Sequence, residues 1–504
     1  MQIEPQASAF AKRYARGEAQ VVWTTLVADL ETPVSAFLKI AGGRPMSFLL
    51  ESVEGGAVRG RYSIIGLEPD LIWRAVEGRA EINRTPRRNG TFTPCNEPPL
   101  KALRALVAES QIALPDTLPP MAAGIFGYLG YDMVRLIEEL PAPNPDPIGI
   151  PDAVLIRPTV VVVFDAVNDM ITVVTPVRPE KGVPAKTALA RAAERLAAIV
   201  DALDRPLDHA AANGASGPLT VLPSSNTTPA EFERMVRSAK EYIAAGDIFQ
   251  VVLAQRFEAP FELPPFALYR ALRRTNPSPY LYFLDFGDFA IAGSSPEILV
   301  KASGGTVTIR PIAGTRPRGA TPHDDKALEA ELLADPKERA EHLMLLDLGR
   351  NDVGRVAEIG TVKVTDQFFI ERYSHVMHIV SNVEGKLSAK HDSIDALAAG
   401  FPAGTVSGAP KVRAMEIIDE LEKEKRGLYA GAVGYFSAAG DMDTAIVLRT
   451  ALVKDGTMYV QAGAGIVADS NPKAEQQECV NKAKALFRAA EEAKRFASAA
   501  RRGQ

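Results

Sequence analysis

A chain of 504 residues with 46% hydrophobic and 24% charged residues has an ordinary globular composition and enough material for a large core, divided among two or three domains. Its 57 Lys and Arg against 62 Asp and Glu give a net charge of −5, which lacks the basic excess that a phosphate backbone calls for and excludes nucleic acid as the expected partner. Only Cys95 and Cys479 are present, far apart and outside any CxxC, so neither a disulfide framework nor a thiolate zinc site is expected.

The chain opens on MQIEPQASAFAKRYARG, which has no apolar stretch of signal-peptide type. The most apolar later run, Thr159 to Phe164, is far shorter than a membrane span needs, so a cytoplasmic protein without membrane partners is expected. Short β-rich runs such as SFLLES and TVVVVF, separated by Gly and Pro clusters, predict an antiparallel sheet with some helices. From Asp204 to Thr228 the chain is rich in Ala, Gly, Ser, Asn and Pro without periodicity. This divides an N-terminal domain over 20–205, a linker over 206–227 and a second domain over 228–492.

The second domain begins with Thr228-Pro229-Ala230-Glu231, which supplies an N-cap, a Pro at the first helical position and the Glu of a capping box. FQVVLAQRFEA, YLYFLDFG, FAIAGSS, ILVKAS and TVTIRPI then follow as closely spaced strands with short polar turns. That succession favours an antiparallel α+β fold over a doubly wound parallel one.

Asp335-Pro336-Lys337-Glu338 starts a helix that carries Glu338 and Glu341 on one face. A helix from Asn471-Pro472 carries Glu475, Glu478 and Lys482 in the same manner. A Glu pair on a helix is more often a solvated face. Here Glu341 precedes the apolar run HLMLLDLGRND and Glu478 follows the Gly-rich AGAGIVADS, where carboxylates are costly unless paired or metal-bound. An all-oxygen site of this kind suits Mg2+. Phe401 to Val412, FPAGTVSGAPKV, runs from a Gly-rich loop into a helix with Pro410 and Lys411 in its first turn, an anion site in outline. Its spacing of Gly404, Gly408 and Lys411 does not meet the nucleotide-binding P-loop pattern, and such a turn alone is more often structural.

Taken in order, PIAGTRPRG, AEHLMLLDLGRND, VMHIVSNVEG, FPAGTVSGAPK, AGAVGYF and AGAGIVADSNPKAEQQECVNK resemble the signature of the chorismate-utilising enzymes, over about Thr228 to Ala490. FLLES, GRYSIIG and NPSPYLYF resemble the inhibitor-binding elements of the large subunits of anthranilate synthase within that family. The resemblance implies a fold of two large, mostly antiparallel sheets forming a sandwich flanked by helices. It implies conversion of chorismate and ammonia to anthranilate and pyruvate, with feedback inhibition by L-tryptophan.

By the same resemblance Glu341 and Glu478 ligate Mg2+, with Glu338 and Glu475 joining through water. Glu297 is implied as the general acid for the departing hydroxyl and His378 as the histidine of the pyruvate-elimination step. Tyr429 and Arg449 are implied to hold the enolpyruvyl carboxylate, with backbone contacts from Gly314, Thr315, Gly463, Ala464 and Gly465. Ser52, Pro279, Tyr280 and Leu281 are implied to bind the inhibitor, with Arg59 and Arg61 both open as further contacts.

Two positions select within the family. Gln250 stands where the water-using members carry a lysine base, and an amide cannot act as that base. Ala313 stands where aminodeoxychorismate synthases carry a lysine nucleophile, and a methyl group cannot form the adduct. Aminodeoxychorismate synthase component I and a non-catalytic tryptophan-binding homologue are the alternatives weighed. Because neither cysteine sits on the Gly-flanked turn of an activated nucleophile, ammonia is expected from a glutamine amidotransferase subunit in a hetero-oligomer.

Overall fold

The computed structural model describes residues 1–54, 58–88, 90–207, 222–373 and 376–496. Most of the expected 206–227 linker lies outside the described residues. Two long strands, Val58–Val76 and Ala153–Asp165, organise the rest. They run antiparallel from Tyr62 opposite Asp165 to Ala75 opposite Ala153, and their register shifts where Pro69 faces Pro158. Proline donates no ladder hydrogen bond, so the pair is interrupted there and each strand can serve two sheets.

From one end of this pair the first sheet runs through Ser47–Glu54, Tyr280–Asp285, Phe289–Ser295, Thr450–Lys454, Thr457–Ile466 and Gln250–Pro260. From the other end the second runs through Gly124–Leu129, Ala432–Ser437, Met442–Ile446, Ile298–Ser303, Thr306–Ile309, Val376–Lys386 and Lys363–Arg372. Each of these ladders is antiparallel, as the short turns between strands predict. The two sequence halves share both sheets, through Ser47–Glu54 against Tyr280–Asp285 and Gly124–Leu129 against Ala432–Ser437.

Apolar side chains on the facing sides form the inner core: Phe48, Ile64, Tyr282 and Ile291 from the first sheet meet Phe126, Tyr128, Val433 and Ala445 from the second. Phe48 and Phe126 stack with centroids 4.6 Å apart. The outer face of the first sheet is covered by Pro33–Ile40, Ala185–Asp204, Pro265–Thr275, Lys411–Leu421 and Pro472–Glu492, and that of the second by Pro99–Ser110, Pro336–Gly354 and Ser393–Gly400. The result is an α+β sandwich flanked by helices. Among the described residues no helix is long and apolar enough to cross a membrane.

Local sequence explains the helix starts that matter for the site. Thr228 and Glu231 form the reciprocal capping box. Asp335 Oδ1 accepts from the N–H groups of Lys337 and Glu338 at 2.9 and 3.3 Å. Asn471 Oδ1 accepts from those of Lys473 and Ala474 at 3.0 and 3.2 Å. These caps place Glu338 and Glu475 in the first turn, and Glu341 and Glu478 in the second, of their two helices.

Candidate active site and effector cavity

Burial, then Glu338, raises the Glu341 carboxyl above its ordinary range, and Glu478 pushes it the same way. Burial and Glu478 likewise raise Glu475. The two helices therefore bring four carboxylates into mutual repulsion, which a divalent cation with hard oxygen ligands would relieve. Gln250 Nε2 donates to Glu341 Oε1 at 3.1 Å, and Arg316 pairs with Glu338 at 3.1 Å. Lys482 Nζ lies 2.7 Å from Glu478 Oε1 and donates to the Gly463 carbonyl at 2.9 Å. Among the described residues no three acidic, His or Cys side chains form a complete metal cage. Two protein carboxylates plus substrate oxygens would complete one.

The Gly-rich context of Glu478 predicts burial, and here the structure corrects the sequence. Its side chain is 49% exposed, because the helix N-terminus turns it to the open side, where Lys482 meets it. A second correction concerns FPAGTVSGAPKV. Lys411 does not face a ligand: its ammonium is bound to both oxygens of Asp352 at 2.9 and 3.0 Å in a buried pair. The loop's structural reading prevails.

His378 sits opposite Thr315 in the ladder, beside a register shift between Ala313 and Thr315. Gly314 at the shift adopts φ +78°, and a Cβ there would crowd Ile379 and Glu338. The bulge aims the Gly314 carbonyl at His378 Nδ1, 3.1 Å away, with Thr315 Oγ1 at 3.0 Å. A carbonyl only accepts, so Nδ1 carries the proton and Nε2 keeps its lone pair. Burial, then Arg449, pushes the imidazole down to about 4, so it is neutral at physiological pH.

Arg449 has the left-handed φ of 47°, and its neighbour in the site, Tyr429, precedes Ala430 at φ 64°. Among the described residues the Arg449 guanidinium makes no ion pair; burial lowers its basicity and Tyr373 partly restores it. A half-buried cation without an anion is a receptor for one. Gly463 and Gly465 face the site from their strand: a Cβ would come 2.7 Å from the Tyr429 hydroxyl at the first and 2.7 Å from Gln250 Nε2 at the second. Ala464 between them turns its methyl into the apolar core.

Glu297 is buried, and desolvation pushes its carboxyl up to about 8, opposed only by the Thr405 hydroxyl and the Ile312 N–H. It is therefore an acid at neutral pH, as the general-acid expectation requires. Sequence reasoning missed two residues here. Thr405 lies inside the FPAGTVSGAPK motif but was indistinguishable from the rest of the loop. Tyr373 packs its ring on His378 at 5.4 Å and donates to Glu371 at 2.8 Å; only its place in ERYSHVMHIV hinted at it.

Ser52, Pro279, Tyr280 and Leu281 together line a separate cavity of about 580 Å3, as does Arg61. Arg61 is held by Asp165 at 3.0 Å, while the Arg59 side chain lies outside the described residues. Ser52 Oγ donates to the Tyr62 carbonyl at 3.2 Å and Tyr280 to Asp443 at 3.1 Å. Tyr435 and Asp443 close the cavity from the second sheet, and Arg310, Glu371 and Tyr373 form the wall behind which His378 stands.

Residues 60–488 match the family of chorismate binding enzymes. The chain belongs to this family. Among relatives of this chorismate-binding enzyme, anthranilate synthase component 1 of Cereibacter sphaeroides is 58% identical, over 98% of this chain and 99% of its own. The component 1 of Pseudomonas putida is 49% identical, over 92% and 93%. The crystal structure of anthranilate synthase component I from Streptococcus pneumoniae superposes with a TM-score of 0.75 at 39% identity, covering 92% of this chain and 99% of that one. The chorismate-binding enzyme thus has the anthranilate synthase type of α+β fold.

Proposed function

We propose that this chorismate-binding enzyme is the large subunit of an anthranilate synthase, converting chorismate and ammonia to anthranilate and pyruvate in the first committed step of tryptophan biosynthesis. The observation that carries the reading is a pair of opposite shifts in one site: Glu297 is kept protonated up to about 8 and His378 neutral down to about 4. An acid and a base thus coexist at neutral pH. Glu341 and Glu478 would hold Mg2+, which when bound supplies charge neutralisation at the ring carboxylate. Arg449 and Tyr429 would hold the enolpyruvyl carboxylate. Glu297 gives its proton to the departing ring hydroxyl, which leaves as water as ammonia bonds to the ring. His378 Nε2 then accepts the ring proton as enolpyruvate departs.

Gln250 and Ala313 support ammonia over water or a lysine adduct as the nucleophile. Cys479 is buried with its thiol pushed up to about 12, and Cys95 is raised by burial as well, so neither is an activated thiolate for glutamine hydrolysis. A separate amidotransferase subunit would supply the ammonia. The cavity at Ser52 and Tyr280 would bind L-tryptophan, and its volume suits a single amino acid of that size.

Purified protein given chorismate, magnesium and an ammonium salt is expected to release fluorescent anthranilate, to stop on chelation and to resume when magnesium is restored. Glutamine alone is expected to fail until the amidotransferase is added. Aminodeoxychorismate as product, or no product at all, would overturn the proposal.

A further inference from the structure

A third cavity, of about 450 Å3, lies among the strands and helix of residues 70–195 and shares no residue with the catalytic cluster or the tryptophan cavity. Among the described residues seven arginines line it, with Asp70 and Glu180 as the only carboxylates in its wall. Arg157 and Arg178 come from and just beyond adjacent strands, and Arg191 and Arg195 from one face of the Ala185–Asp204 helix. Arg84, Arg87 and Arg88 come from the turn around Pro86–Arg88.

Pairing does not exhaust these cations. Arg84 and Arg157 share Glu109 at 2.7 and 3.1 Å, and Arg157 also takes Asp70 at 2.7 Å. Arg87 pairs with Glu68 at 2.9 Å, a carboxylate that Arg44 also uses. Arg191 reaches Glu180 only at 3.7 Å, and Arg178 reaches the already bonded Asp70 at 3.8 Å. Arg88 and Arg195 have no carboxylate within ion-pair distance among the described residues. Four carboxylates thus serve seven guanidiniums on a chain whose overall charge is −5.

The shortfall is felt inside the fold. Arg178 Nε is buried without a hydrogen-bond partner among the described residues. Burial, then Arg157, pushes Arg178 down to about 10, and burial and Arg87 lower Arg195. Strands and a helix hold like charges and an unused donor at one point, a cost that a bound anion would remove.

We propose that this cleft binds a small, multiply phosphorylated molecule. One carboxylate would leave most of the three excess charges unmet, whereas two phosphate groups would neutralise them and match the forked geometry of guanidinium donors. The volume lies in the range of small-molecule sites.

The test is calorimetric titration of the full chain with inorganic pyrophosphate, in magnesium-free buffer with ionic strength held by KCl. One-to-one binding is expected, about tenfold or more tighter than inorganic phosphate. Arg178→Gln with Arg195→Gln is expected to weaken it about tenfold, and Arg234→Gln, which removes an exposed charge elsewhere, to leave it unchanged. Should the double variant misfold, Arg88→Gln with Arg191→Gln, both at exposed positions, replaces it. A nucleoside triphosphate and a sugar bisphosphate, titrated in parallel, separate the two sources of such a group. No binding, no advantage over phosphate, or equal weakening by Arg234→Gln would overturn the proposal. Each outcome is independent of anthranilate formation.

Discussion

Single residues divide the labour here by environment. Glu297, Glu341 and Glu478 carry the same side chain, yet of the three only Glu297 is sealed from water with little to offset its burial. Glu297→Gln keeps the volume and the hydrogen bond while removing the proton, and kcat is expected to fall roughly 10²- to 10⁴-fold in steady-state assays. The pH profile follows from the same shifts. In the proposed roles Glu297 acts protonated and His378 neutral, so the rate should fall as pH rises through about 8 and as it drops through about 4. Profiles of kcat/KM at constant free ammonia will read both limbs; an alkaline limb that persists unmoved in Glu297→Gln counts against Glu297 as its source. None of this was visible in the sequence, because a pKa belongs to the surroundings of a residue. GSSPEIL identified Glu297 as a candidate, but not the burial that makes it an acid.

At the scale of elements, the Gly-rich loop of residues 404–408 is held from below. Glu422 and Arg426 form a buried pair at 2.5 Å, and Arg426 also donates to the carbonyls of Val406 and Val252 at 2.6 Å each. The Ala254 N–H donates to Glu422 at 2.9 Å, and the Arg426 guanidinium lies 5.5 Å from the centroid of the Tyr429 ring. One ion pair thereby ties the loop, the Gln250–Pro260 strand and a candidate substrate contact together. Glu422→Ala would leave a buried guanidinium without its anion, and a loss of about 3–5 kcal/mol is expected in urea unfolding. A loss below about 1 kcal/mol would show that solvent reaches Arg426. Local signals located the elements well: Thr228, Asp335 and Asn471 cap the helices they were expected to cap, since a cap and its partners lie within four residues. The sequence favours the structural reading of the Lys411 loop, but the ion pair that fulfils it was hidden because Asp352 lies 59 residues away in sequence. The long pair of strands 58–76 and 153–165 was invisible for the same reason.

Across the whole molecule, the sandwich sets the cavity of Ser52 and Tyr280 on one side of a wall whose other side holds His378. Tyr280 and Ser52 face each other across the first sheet, Tyr435 and Asp443 reach in from the second, and Glu371 and Tyr373 separate this space from His378. Arg310 holds Glu371 at 2.5 Å, so a ligand in the cavity touches the charges on the wall behind which His378, the proposed base, stands. Inhibition then requires that the ligand stabilise one arrangement of this wall over another. Gly60 gives a way to close the cavity without touching the catalytic machinery. A Cβ at this position would overlap Ser52 Oγ and come within 2.9 Å of the Ser52 carbonyl carbon, so the Ser47–Glu54 strand must shift toward the cavity or lose its pairing. Gly60→Ala is expected to raise the tryptophan concentration for half-inhibition about tenfold or more, while kcat in ammonium-dependent assays stays within about twofold. Calorimetry should show the loss in tryptophan affinity itself. Wild-type affinity with unimpaired inhibition would place the effector elsewhere, and a parallel fall in kcat would mean that the strand supports the catalytic side as much as the cavity.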